Sequence, residues 1–158
     1  MTEPIEALLR QVDEAILVND YKKALKAQEQ VIEVDKKAIG YHYEHLSRIL
    51  FTSGKIEESL DAGLHAAEWF TTRGDHKSAV RVYEFLVTFI HLQPSERVAI
   101  TFCYVSVLSY VSMCYTDDLP YDKATKHLID LSIMCPVFGK STEYTKAKER
   151  IELFMSNR

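Results

Sequence analysis

The sequence predicts an all-α protein, and three observations predict it. Apolar residues recur at three- and four-residue spacing, as in Ile5, Leu8, Leu9, Val12 and Ile16, and no segment alternates with period two for long. Glycine and proline are scarce, five and four in 158 residues, which is too few for the many turns of a sheet protein. The punctuation at Asn19-Asp20, Lys36 to Gly40, Ser53-Gly54, Arg73 to Asp75, Leu92 to Ser95, Thr116 to Pro120 and Cys135 to Gly139 leaves connections of about two to six residues. Connections that short make consecutive helices pack as antiparallel neighbours. About seven to eight helices are expected, in a single domain over 1–158.

The elements follow in order. Ile5 to Ile16 gives the first apolar stripe, and Asp20 stands where it would cap the second helix. Leu46, Ile49 and Leu50 form the stripe of the third, and the fourth carries Trp69 on its apolar face. Asp75 would cap the fifth, whose stripe is Val82, Phe85, Leu86, Phe89 and Ile90. Pro94-Ser95-Glu96 opens the sixth. From Val98 to Tyr115 that helix is apolar or small at almost every position, so it must be covered on several sides. Thr101, Ser106, Ser109 and Ser112 interrupt it, and at about 18 residues it would barely cross a bilayer, so a buried helix without membrane insertion is expected. Ser141 is the expected N-cap of a last helix over about 140–156.

Charge and chemistry narrow the function. A net charge of −4 and a sequence pI near 5.9 give no basic footprint for a nucleic acid. Lys22, Lys23 and Lys26 alternate with Glu29 and Glu33 and read as a solvated helix face. The residues Met1 to Glu6 lack the basic region of a signal peptide, and three cysteines without CxxC or Cys/His spacing suggest neither a disulfide framework nor zinc, so a reduced cytoplasmic setting is expected. His42 and His45 flank positions 43 and 44 but lack a third ligand at a recognisable spacing. His65 reads as a hydrogen-bonded histidine beside the core, and Cys103 and Cys114 as small core residues. With no Gly-rich phosphate loop, GxSxG or paired carboxylates, neither catalysis nor a cofactor is expected.

Three windows of equal length, 5–38, 40–73 and 105–138, align on the turns within helix pairs. The third carries Leu108, Val111, Ser112 and Tyr115, then Tyr121, Ala124, Leu128 and Pro136; the second carries Tyr43, Leu46, Ser47 and Leu50, then Gly54, Ile56, Ser59 and Gly63. The first carries Leu8, Val12, Ala15, Tyr21 and Ala24, with Gln11 and Gln28 at apolar positions. This pattern resembles the tetratricopeptide repeat, in degenerate form. Between 74 and 104 the register is lost; Trp69 to Ala79 reads as a further turn about 20 residues after the previous one, so the fourth helix serves two turns and resembles the long helices of the soluble attachment proteins of membrane fusion. The resemblance implies an antiparallel helix-pair solenoid in which small residues such as Ser47, Ser59, Ser112 and Ala124 let helices approach.

It further implies a scaffold, adaptor or chaperone that binds a peptide or helix of another protein in a concave groove. In this register the groove residues are Leu9, Asp13, Tyr41, Glu44, Arg48, Phe51, Ser109 and Met113. The Lys and Asn with which one co-chaperone subclass grips a C-terminal carboxylate are replaced by Leu9, Asp13, Glu44 and Arg48, so that subclass is not expected. Tyr41, Tyr43, Phe51 and Tyr144 are the candidates for an exposed apolar patch. Length and acidity are similar to the tetratricopeptide chaperones of bacterial secretion substrates. The rival readings are a structural subunit of a permanent homo- or hetero-oligomer, and a regulatory domain binding a metal or small molecule.

Overall fold

The computed structural model describes residues 5–88 and 95–156, and every structural statement concerns these. They hold nine α-helices, short 3-10 segments and no strand. The expected Phe89, Ile90 and Pro94 fall outside the described residues. The helices are α1 (Ile5–Leu17), α2 (Tyr21–Val34), α3 (Ile39–Thr52), α4 (Ile56–Thr72), α5 (His76–Leu86), α6 (Glu96–Thr116), α7 (Asp122–Met134), α8 (Pro136–Gly139) and α9 (Thr142–Ser156), with a 3-10 turn over Lys36–Ala38. α8 is one turn built where the sequence shows only punctuation, because Pro136 at its start supplies a preset φ and needs no donor there.

The caps lie where the sequence puts them. Asp20 accepts from the Lys23 amide, Asp75 from Ser78, Ser95 from Val98 and Ser141 from Tyr144, at 3.2, 3.2, 3.3 and 3.2 Å. Each satisfies one of the amides that a helix start leaves without a partner.

The chain divides into two compact units, Met1–Arg73 and Gly74–Arg158. In the first, α1 packs on α2, α2 on α3 and α3 on α4. Its core joins Val12 and Ala15 of α1 to Ala24, Leu25 and Ala27 of α2, Leu46, Ile49 and Leu50 of α3, and Ala62 of α4. The α3–α4 pair is antiparallel and close. Gly40 lies against the Trp69 ring, Tyr43 stacks on His65 at 4.4 Å, and Ser47 meets Ser59. The two serines exchange bonds: Ser47 Oγ donates to the Ser59 carbonyl at 2.7 Å, and Ser59 Oγ to the Ser47 carbonyl at 2.6 Å. Both are buried, at 1% and 0% exposure, so no water competes for these groups. The hairpin closes at Gly54, whose φ of 84° lies where a side chain is strained. Arg73 sits over the Trp69 ring at 3.7 Å.

In the second unit α6 packs against α5, α7, α8 and α9. This accounts for a helix with apolar residues on every side. By length and composition α6 could cross a membrane, yet half of its most apolar window is buried in protein. Cys103, Cys114 and Cys135 are all buried and none is in a disulfide. Ser106 and His127 meet at 2.6 Å between α6 and α7, and the Tyr110 ring covers the imidazole at 4.2 Å. Tyr110 also donates to Glu84 on α5. Burial lowers the pKa of His127 to about 4, only partly opposed by Asp130.

Two outcomes follow from this packing. A Cβ on Gly40 would stand 2.3 Å from the Trp69 ring, so Gly40→Ala is expected to lower the unfolding free energy by about 1–3 kcal/mol in urea titrations followed by circular dichroism. Below its unfolded value of 6.5, His127 binds a proton more readily in the unfolded chain than in the folded one. Its contribution therefore falls as pH drops from 6.5 towards 4, by on the order of 3 kcal/mol. His127→Gln should be less stable at pH 7 and flatter than the parent across that window; parallel stability curves would contradict this account.

Candidate functional site

The sequence-predicted groove residues divide by their surroundings. Asp13 and Arg48 are exposed, and Leu9 and Phe51 are half-buried. Tyr41 is 50% exposed, with its ring edge-on to Trp69 and Phe70 of α4. Three residues expected to line a groove are instead buried. Glu44 is turned inward and accepts from Arg48 one helical turn on at 3.4 Å. Ser109 and Met113, in the second unit, are buried at 6% and 9% because α6 is covered by four helices.

What the first unit does assemble is a face shared by α1 and α3. A cleft of about 120 Å³ is lined by Ile16 of α1, Tyr21 at the start of α2, and His45, Arg48, Ile49 and Thr52 of α3. Ile49 is buried and Ile16 half-buried, giving an apolar floor; Arg48 and Thr52 stand exposed at the rim. Thr52 Oγ1 donates to the Arg48 carbonyl one turn back at 2.9 Å, which leaves its methyl to face outward from that bond. Just beyond Ile16, Leu17 and Val18 are 82% and 73% exposed, where α1 turns into α2.

His45 reports the electrostatics of this face. Burial holds its pKa below the ordinary histidine value, His42 and Arg48 press in the same direction, and Asp13 and Glu44 oppose them. Asp13 on α1 and Arg48 on α3 thus act on one imidazole. Of the eight predicted residues, Arg48 lines the cleft, and Asp13 and Glu44 act on His45 through their charge. Five of the six lining residues, Ile16, Tyr21, His45, Ile49 and Thr52, are not among the predicted groove residues, and the sequence signal nearest to any of them was the place of His45 between Glu44 and Arg48 on α3.

Behind the face lies a polar support. His42 Nε2 and Asp35 Oδ2 are 2.8 Å apart, and the buried Gln28 of α2 donates from Nε2 to the His42 carbonyl at 2.9 Å. This is the use of the glutamine that stands at an apolar repeat position. His42 is engaged with Asp35, and among the described residues no group of three His, Cys, Asp or Glu is placed to hold a metal ion. His65 is exposed and stacked on Tyr43 rather than hydrogen-bonded beside the core. Nothing among known protein families, curated proteins or solved structures matches the chain.

The shared face has a direct titration test. Asp13→Asn should lower the His45 pKa further and Arg48→Gln should raise it, read from the imidazole carbon-bound proton signals across pH. Identical titrations in both variants would separate α1 from this face.

Proposed function

We propose that this chain is a non-catalytic, cytoplasmic protein-interaction scaffold built of degenerate tetratricopeptide-like helix pairs, which binds an apolar side chain of a partner peptide or helix on the α1/α3 face. The observation that carries it is the cleft between α1 and α3, with an apolar floor, a rim of His45, Arg48 and Thr52, and the exposed Leu17 and Val18 beside it. Apolar floor with polar rim is the make-up of a protein-recognition surface, and a cleft of this size accepts one anchor side chain. The antiparallel α1/α2 and α3/α4 pairs, with small residues at Ser47 and Ser59 where the second pair crosses, support the repeat reading.

A second reading has its own support. Ile129 and Ile133, one turn apart on α7, and Met134 at its end are 46%, 71% and 41% exposed, which suits a permanent subunit contact. Mass measurement by light scattering on the eluting peak separates the two: a stable dimer or larger favours the subunit reading.

For the scaffold reading, peptides selected on the immobilised chain from a displayed library should lose about tenfold or more in affinity for Arg48→Glu, with unchanged helicity by circular dichroism. Peptides that bind the variant as well as the parent would remove the α1/α3 face from the proposal.

A further inference from the structure

The second unit contains a larger cleft, of about 360 Å³, where the start of α5, the last two turns of α6 and the end of α9 meet. That volume falls within the ~300–1,000 Å³ of small-molecule sites. Leu108 and Val111 of α6 and Phe154 of α9 form apolar walls.

The polar groups of this cleft share one property: they lack protein partners. Arg150 lines it, and among the described residues no carboxylate pairs with that guanidinium. His76 lines it too, and its Nδ1 is shielded from solvent and has no hydrogen-bond partner. A shielded ring nitrogen without a protein partner is a polar position that a bound group can satisfy. Ser112 and Thr116, on the α6 wall, also make no hydrogen bond among the described residues. Three acids adjoin lining residues in sequence: Asp75 is engaged in capping α5 through the Ser78 amide, and Asp117 after Thr116 and Glu149 before Arg150 do not line the cleft.

A cation, an imidazole and hydroxyls around apolar walls, in a chain of net charge −4, specify an anion attached to an apolar body. The single guanidinium fork matches the two oxygens of a carboxylate, whereas a phosphate dianion would call for more fixed positive charge than the one arginine provides. We propose that this cleft is a binding site for a small apolar monocarboxylate of the medium-chain fatty acid class, the carboxylate on Arg150 and His76 and the chain along Leu108, Val111 and Phe154. The site is independent of the α1/α3 face, and either proposal can fail alone.

Sodium octanoate is the probe, with 1-octanol as the uncharged match, titrated into the full ¹⁵N-labelled chain and followed by amide shifts. Octanoate should move the amides of His76, Ser112 and Thr116, and bind about tenfold or more tightly than octanol. Arg150→Gln should reduce octanoate affinity by about tenfold and leave octanol unchanged, and His76→Phe should weaken octanoate by a smaller factor. Arg150 is exposed, so its variant is expected to keep the parent's thermal midpoint. Equal affinity for octanoate and octanol, octanoate binding indifferent to Arg150→Gln, or shifts spread evenly over both units would each overturn the proposal.

Discussion

The reciprocal bond between Ser47 and Ser59 sets the geometry on which the first unit depends. Each hydroxyl is spent on the other helix's carbonyl, so α3 and α4 meet over two short, dry hydrogen bonds where bulkier side chains would hold them apart. Gly40 extends the same close approach by letting the Trp69 ring lie on the backbone. With α3 fixed on one side by α4, its other sides meet α2 through Leu46, Ile49 and Leu50 and turn His45 and Arg48 towards α1. The candidate site is thus the face of α3 that the serine clamp leaves over.

The second unit solves a different problem. α6 has apolar residues all round and cannot be satisfied by one partner helix, so α5, α7, α8 and α9 all pack on it. Two of its polar side chains are met from neighbouring helices: Ser106 by His127, and Tyr110 by Glu84. The imidazole is held neutral by that enclosure, which ties the stability of α6 and α7 to pH. Arg97 near the start of α6 reaches Glu143 of α9 at 2.7 Å and holds that carboxyl below its usual range.

Local features were the most legible in the sequence. The all-helical class and the caps at Asp20, Asp75, Ser95 and Ser141 follow from spacing and side-chain chemistry within a turn or two, and the structure has them in place. The site was legible in part. A repeat register names the side of a helix but not how far each side chain reaches, so it placed Glu44, Ser109 and Met113 at a surface although they are buried, while Asp13 and Arg48 both act on the His45 imidazole. Gln28 shows the converse. As an exception to an apolar pattern it reads as degeneracy, and only the third dimension reveals that its amide reaches the His42 carbonyl. The donors at the α9 cleft had no sequence signal, because His76, Ser112 and Arg150 are brought together from three helices.

The distribution of two rare side chains gives each unit its own reporter. The chain has a single tryptophan, and it lies in the first unit against Gly40 and beneath Arg73. All three cysteines lie in the second, enclosed around α6 and α7, and burial raises the Cys103 thiol well above its usual pKa, with Cys135 beside it adding to the effect. Indole emission therefore follows the opening of one unit, while the rate of thiol alkylation clocks the opening of the other. In one unlabelled sample the two readings distinguish a chain that unfolds in a single cooperative step from one whose halves open separately.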